Sequence, residues 1–308
     1  MEKIKVLILP KFVLGEEASE KTGEMKLYYE KFFEGAKTLE VRGNAYPLFV
    51  KDKMAMCLSG MGKVSSALTL SAVLSDPRLD FSDSYILSTG CGGGACGYAT
   101  MGDVVIASAV VDLDIGHTAD IRDMEDKEKT ATWFVDESFS NLGFTIMDKS
   151  LVDRVYEITK DIALDTTDRT MDILSKEFPG QKWAQRRPAV IKGTSVTSDN
   201  YWKGEYYHAN AVKAVTEYGC PDPYAVSQME DAAIAAAAKR FGMLGRTICI
   251  RDIVNTDVFL FGDTPEKLWS TSFYESIAAE ESSEFLDIFE VARENNFKVG
   301  SAIAEALM

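Results

Sequence analysis

The chain has 308 residues, enough to bury a large core in one domain or in two smaller ones. Its net charge is −15, from 33 Lys and Arg against 48 Asp and Glu, so its field repels phosphate backbones and argues against nucleic acid as a partner. With 46% hydrophobic and 26% charged residues, the composition is that of an ordinary globular protein.

Short apolar runs alternate with longer helical patterns along the chain, which predicts an α/β fold. The predicted strands are Ile4–Leu9, Met54–Leu58, Ser84–Ser88, Val104–Val111, Ala189–Lys192, Tyr224–Val226 and Arg246–Ile250. The predicted helices are Met25–Glu34, Val64–Leu74, Leu151–Lys176, Tyr206–Thr216, Met229–Arg240, Pro265–Ala279 and Glu284–Leu307. No linker or repeat divides the chain, so we expect one domain over residues 1–308, with helices on a central sheet.

The amino-terminal apolar stretch is too short for a signal sequence and is interpreted as a first buried strand. The longest apolar runs, Val104–Val111 and Ala232–Ala238, fall far short of the roughly 20 residues that span a bilayer. We therefore expect no membrane span and a cytoplasmic location, unless a leader peptide has been removed from the chain.

Residues 112–150 are polar, charged and poorly periodic, with Arg122–Lys129 nearly all charged. This stretch is interpreted as an insertion or lid on the single domain. Charge runs usually face water, so a solvated surface is favoured over a binding role.

The five cysteines are scattered and odd in number, which favours small buried residues in a reducing compartment over a metal site. The spacing of Cys91 and Cys96 matches no common zinc pattern. Because the chain has two histidines, a His-rich metal centre is excluded, and no metal is expected.

Two glycine-rich segments follow predicted strands. Leu87–Gly97 is interpreted as a loop that presses its amides against a base or an anion, with a tight turn as the alternative. It is not a dinucleotide fingerprint, because no suitably spaced helix follows it. Leu58–Val64 joins a strand to a helix whose first amides could hold an anion, although an ordinary strand–helix turn is an equal alternative.

Three polar segments follow later strands. Ser227–Asp231 opens an Ala-rich helix, and by spacing alone helix capping explains its carboxylates better than ligand binding does. Ile250–Asp257 lies just after an apolar strand. Its Asn255 could bind the N7/O6 edge of a purine or simply form a turn. Thr197–Trp202 carries two aromatic side chains that could stack on a base, although paired aromatics more often fill a core.

Taken in chain order, these segments resemble the purine nucleoside phosphorylase superfamily, which includes the methylthioadenosine/adenosylhomocysteine nucleosidases. The resemblance is strongest to the purine nucleoside permease family and runs from the first strand to about residue 260. It implies a nucleoside phosphorylase-like three-layer fold with a central mixed sheet. The matching motifs are Ser59–Val64, Thr89–Gly93 with Gly102–Val105, Ser198–Trp202, Gln228–Asp231 and Arg251–Asp257.

The resemblance also implies residue roles. Glu230 would bind the ribose 2′- and 3′-hydroxyls, and Asn255 would face the purine as the second catalytic residue. The implied substrate-binding residues are Met229, Gly92, Gly93, Thr89, Tyr201, Trp202 and His117, with Tyr201 favoured over Trp202 for stacking. A solvated loop histidine is an equal alternative for His117.

Because 6-oxopurine phosphorylases carry Asn where nucleosidases carry Asp, the resemblance favours phosphorolysis of an inosine- or guanosine-like substrate. Phosphate would then be the co-substrate, with no other cofactor. Its candidate ligands are Ser88, Lys63 and Lys11, although relatives place an Arg where this chain has Ser88. Hydrolysis with Glu16 or Glu17 activating water, or a soluble nucleoside-binding component of uptake, stays open. Relatives form dimers, trimers or hexamers, so we expect a homo-oligomer.

Overall fold

In a computed structural model of the chain, the structure describes residues 1–12, 23–116, 125, 143–260, 264–266 and 284–308. The strands are β1 Glu2–Lys3, β2 Val6–Leu9, β3 Lys37–Leu39, β4 Leu48–Lys51, β5 Met54–Met56, β6 Leu79–Asp80, β7 Tyr85–Gly94, β8 Val104–Asp112, β9 Phe144–Ile146, β10 Val190–Thr197, β11 Tyr224–Gln228 and β12 Thr247–Thr256. The α-helices are α1 Lys26–Tyr28, α2 Lys63–Leu74, α3 Lys149–Thr159, α4 Asp168–Glu177, α5 Lys182–Gln185, α6 Glu205–Glu217, α7 Asp231–Arg240 and α8 Glu284–Leu307. Shorter turns are the 3₁₀ turns Gly23–Met25 and Leu244–Arg246 and a π-helical turn, Tyr29–Phe33.

Ten of the described strands form one mixed sheet, in the order β11-β10-β8-β12-β7-β2-β5-β4-β3, with β9 paired to β8. Strand β11 also pairs with β7, so β7, β12, β8, β10 and β11 close into a ring. All nine residues of β8 are buried, as expected for a strand covered on both faces. The ring places the carboxyl ends of β7, β11 and β12 beside one another.

Helices cover both faces of the sheet. On β2, Val6 and Ile8 face a core shared with α8, while Leu7 and Leu9 face a second core with α2 and α7. This alternation has the two-residue period of a strand. The structure confirms the expected three-layer α/β fold with a central mixed sheet.

The helix predicted at Leu151–Lys176 is instead two helices, α3 and α4. Thr167 caps the second one, because its hydroxyl accepts a hydrogen bond from the backbone N–H of Thr170 at 3.0 Å. Side-chain caps of this kind start a new helix. Most of the predicted helix Pro265–Ala279 lies outside the described residues.

The carboxyl end of the expected insertion at 112–150 belongs to the main fold. Phe144 of β9 pairs with Val111 of β8, and α3 begins at Lys149. For the rest of that stretch, most of which lies outside the described residues, the lid interpretation stays a prediction. Within the described ranges, no helix combines the length and apolarity needed to cross a membrane.

Candidate functional site

The glycine cluster lies in the carboxyl half of β7. The predicted loop is wrong for residues 90–94, which continue the strand. A Cβ atom on Gly93 would lie 2.9 Å from both Asn255 Oδ1 and Ser227 Oγ, on the two strands that flank β7 there. Only a residue without a side chain allows this approach. The close packing brings Asn255 and the end of β11 to the same place.

Glu230 stands at the start of α7, just after β11, and is 3% exposed. Its Oε1 accepts a hydrogen bond from the backbone N–H of Gly62 at 3.0 Å, and its Oε2 accepts one from Arg251 Nη2 at 3.0 Å. Asp199 Oδ1 accepts the next amide, that of Lys63, at 2.8 Å. Two protein carboxylates therefore accept the first amides at the start of α2, where the sequence analysis allowed for an anion-binding site.

Arg251 is the buried hub beside Glu230. It is 2% exposed and makes a two-pronged pair with Asp231, with Nη2–Oδ1 at 2.6 Å and Nε–Oδ2 at 3.1 Å. Asp231 also accepts the hydroxyls of Ser88 and Ser195 at 3.2 and 2.9 Å. Burial by itself raises the pKa of Asp231, but the charge and hydrogen bonds of Arg251, the charge of Lys11 and the Ser195 hydroxyl together lower it below its ordinary value. This network ties β7, β10 and β12 to α7.

The three candidate phosphate ligands do not form one cluster: Lys11 and Ser88 contact each other, whereas Lys63 contacts two aspartates. Lys11 is buried, and its Nζ donates to Ser88 Oγ at 2.7 Å. Burial lowers the pKa of Lys11. Lys63 Nζ forms ion pairs with Asp112 at 2.9 Å and Asp114 at 2.7 Å. Each candidate already has polar partners within the protein, so phosphate would have to compete with them.

Glu24 is a candidate that the sequence analysis missed. It lies in the 3₁₀ turn before α1 and is 5% exposed, and its two oxygens accept the backbone N–H groups of Lys11 and Cys91, each at 2.8 Å. Burial raises the pKa of Glu24. A buried carboxyl with a raised pKa is suited to proton transfer. The residues offered from the sequence, Glu16 and Glu17, lie outside the described residues.

Asn255 lies in β12, so the alternative interpretation of Asn255 as a turn-forming residue is wrong. Its Nδ2 is 3.4 Å from the Tyr201 hydroxyl. Tyr201 is 52% exposed, whereas Trp202 is 9% exposed and packs in an apolar cluster. Trp202 is therefore a core residue, and stacking on the base stays a prediction for Tyr201 alone.

The other predicted substrate-binding residues lie in different surroundings. Met229 is partly buried beside Glu230, and Gly92 packs against β11. Thr89 is buried, and its hydroxyl bonds to Asn296 of α8. His117 lies outside the described residues.

The sequence analysis also missed a His–Asp pair whose Asp lies two residues after Asn255 in the chain. His208 Nδ1 is 2.7 Å from Oδ2 of buried Asp257, and Asp257 Oδ1 accepts the backbone N–H of Cys96 at 2.9 Å. The two partners are 49 residues apart, so no local spacing marks the pair. Among the described residues, no group of three or more His, Cys, Asp or Glu side chains is arranged to hold a metal ion.

A family model described as purine nucleoside permease (NUP) matches residues 3–308. A probable purine nucleoside permease of Schizosaccharomyces pombe is 24% identical over 201 residues, which cover 59% of this chain and 57% of that protein. The chain therefore spans little more than half the length of this relative. A 5′-methylthioadenosine/S-adenosylhomocysteine nucleosidase of Oceanobacillus iheyensis is 34% identical over 158 residues, covering 50% of this chain and 67% of that protein.

Among solved structures, the chain resembles a 5′-methylthioadenosine/S-adenosylhomocysteine nucleosidase of Neisseria meningitidis in complex with methylthio-immucillin-A. The TM-score is 0.60 at 17% identity, and the match covers 99% of this chain and 100% of that one. At this identity the likeness establishes the fold alone.

Proposed function

Because the chain belongs to the purine nucleoside permease family, we propose that it binds a purine nucleoside and cleaves its N-glycosidic bond. The observation that carries the proposal is buried Glu230, which is held by Gly62 and Arg251. It follows β11, which pairs with Gly93 of β7, and Asn255 of β12 pairs with the same glycine. A carboxylate accepts hydrogen bonds from sugar hydroxyls, and an amide can read a purine edge. The fold shared with proteins named as nucleosidases supports this reaction class.

The charges that develop during cleavage explain the two roles. Breaking the bond leaves positive charge on the ribose and negative charge on the departing purine. Glu230 would hold the sugar hydroxyls, and the Asn255 amide would donate to the purine N7 or O6. Fixed groups aimed at developing charge are often the largest single source of catalysis.

We assign water as the acceptor of the ribosyl group, where the sequence favoured phosphate. Phosphate would have to displace Asp199 or Glu230 from the first amides of α2, or take Lys63 from Asp112 and Asp114. Its negative charge would also meet these carboxylates. Water has no such cost, and buried Glu24 could take its proton.

The deciding experiment incubates the protein with inosine, with and without inorganic phosphate, and follows hypoxanthine release. We expect equal rates in both and free ribose as the second product. Release that requires phosphate and yields ribose 1-phosphate would restore the phosphorolysis predicted from the sequence. Tight nucleoside binding without turnover would instead favour a binding role in uptake, as the family name implies.

Replacing Glu24 with glutamine should lower kcat by about 10²–10⁴-fold, the usual contribution of a general acid or base. Glutamine keeps the shape of the side chain but cannot accept the proton of water. Steady-state hydrolysis of inosine at saturating concentration measures kcat. Glu30→Gln is the matched control, because Glu30 is exposed in the same helical segment, and it should leave kcat unchanged. Equal loss in both variants would remove Glu24 from the mechanism.

Replacing Asn255 with aspartate should raise kcat/KM for adenosine relative to inosine by roughly 10²-fold, because a protonated carboxyl can act as an acid at N7 and an amide cannot. Competition between the two nucleosides in one reaction measures the ratio directly. An unchanged ratio would show that Asn255 does not contact the base.

A further inference from the structure

Asp252 is a buried carboxyl for which the proposed reaction provides no role. It is 2% exposed and follows Arg251 on β12. Its Oδ1 accepts a hydrogen bond from Asn296 Nδ2 at 2.7 Å, whereas its Oδ2 is buried and has no hydrogen-bond partner among the described residues. A carboxylate with one unsatisfied buried oxygen is costly, so this environment favours the neutral, protonated form.

Asp252 sits across the β7–β12 ladder from Cys91, whose backbone N–H donates to Glu24. Burial raises the pKa of the Cys91 thiol, and the charges of Glu24 and Asp252 raise it further. Burial and then the charge of Glu24 raise the pKa of Asp252 to about 7, while Arg251 opposes the shift. The charge of Glu24 therefore acts on Asp252. On Glu24 itself, burial raises the pKa, Arg251 lowers it and the charge of Glu230 raises it.

The donors around the two carboxyls decide which one carries the charge. Glu24 receives two backbone N–H groups, one on each oxygen, whereas Asp252 receives one side-chain amide. Hydrogen bonds from N–H groups stabilise the ionised form. Of the titratable groups on neighbouring elements, Tyr28 of α1 is buried, and burial raises the pKa of its hydroxyl above the ordinary value, so it stays neutral.

We propose that Asp252 is a positioning residue that keeps the proton of a carboxyl pair, so that Glu24 alone is ionised when it meets water. This inference rests on the proposed hydrolysis. Asn296 links Asp252 to β7, because the Nδ2 that donates to Asp252 also donates to the Gly90 carbonyl at 3.3 Å. When Asp252 loses its proton, a second buried negative charge acts on Glu24, and the repulsion between the two carboxylates disfavours an ionised Glu24.

The first consequence concerns folding and needs no substrate. The pKa of folded Asp252, about 7, lies above the ~3.9 of an unfolded Asp, so the folded protein binds more protons between these pH values. Stability therefore falls as pH rises through this window, by up to about tenfold per pH unit in the folding equilibrium constant. Asp252→Asn should remove that part of the slope in urea unfolding measured from pH 5 to 8.

The second consequence concerns turnover. We expect kcat/KM of the wild type to fall above about pH 7 and that of Asp252→Asn to stay level there. Asp103→Asn is the matched control, because Asp103 is also a fully buried carboxyl, paired with Arg186, on the connection into β8. The Asp103→Asn variant should be less stable than the wild type, but its kcat/KM should still fall above about pH 7.

If Asp252→Asn does not fold, Asn296→Ala tests the same idea. Losing the Asn296 donor to Asp252 should move both the fall of kcat/KM and the stability slope to higher pH. Slopes identical to those of the wild type in the folded variant overturn the inference. If the slope of stability against pH changes but no purine nucleoside is turned over, Asp252 holds the proton and the proposed function is rejected. If a nucleoside is turned over but the slope is unchanged, the proposed function stands and the assignment of the proton to Asp252 is rejected.

Discussion

Replacing Glu230 with alanine is expected to lower kcat/KM for the nucleoside by about 10³-fold, because the ribose hydroxyls lose the charged acceptor that orients them. The loss should appear in kcat as well as in KM, since orientation of the sugar matters most while positive charge develops on it. Steady-state kinetics with inosine measure both constants.

The fold should survive this change, because Arg251 keeps its two-pronged pair with Asp231 when Glu230 is removed. Circular dichroism and urea unfolding of the variant check this. Asp168→Ala is a suitable control: Asp168 is an exposed acidic residue in the first turn of α4 and lies in no part of the candidate site. Activity of Glu230→Ala within tenfold of the wild type would mean that another group binds the sugar.

Replacing Arg251 with methionine is expected to lower the free energy of unfolding by about 3–5 kcal/mol. The side chain is 2% exposed and balances Asp231 and Glu230, so its removal leaves buried carboxylates without their cation. Equilibrium unfolding in urea measures the change. Arg42→Met, at an exposed position, should change stability by less than about 0.5 kcal/mol.

A second substitution tests the electrostatic explanation. Asp231→Asn in the Arg251→Met background removes one uncompensated charge, so the double variant should be more stable than Arg251→Met alone. If the double variant is less stable than the single one, the cost of losing Arg251 comes from packing and not from unpaired charge.

The fold was largely predictable because burial leaves a local signature. Val104–Val111 is apolar except for Ser108, and it forms all but the last residue of β8. The predicted helix Glu284–Leu307 has the bounds of α8. The errors arose where local sequence permits two structures. Gly90 and Gly92–Gly94 are typical of a loop, yet they extend β7, and its neighbours pack too closely for side chains at these positions.

The candidate site was predictable only in part. Glu230 and Asn255 were identified by family resemblance, and the ring of strands brings their segments together around Gly93. Glu24 was missed because its significance depends on burial. The residues that it contacts, Lys11 and Cys91, lie 13 and 67 positions away in the chain.

By itself, the sequence determined the α/β class, the longer strands and most of the longer helices, and the family resemblance, since these follow from hydrophobic period and short motifs. It did not predict the short strands β1, β3, β4, β6 and β9. Tertiary structure alone decided which charges are buried and which partners they have. Asp252, Glu24 and Arg251 are ordinary polar residues in the sequence. Their chemistry arises from desolvation and from contacts between distant segments, neither of which a local pattern encodes.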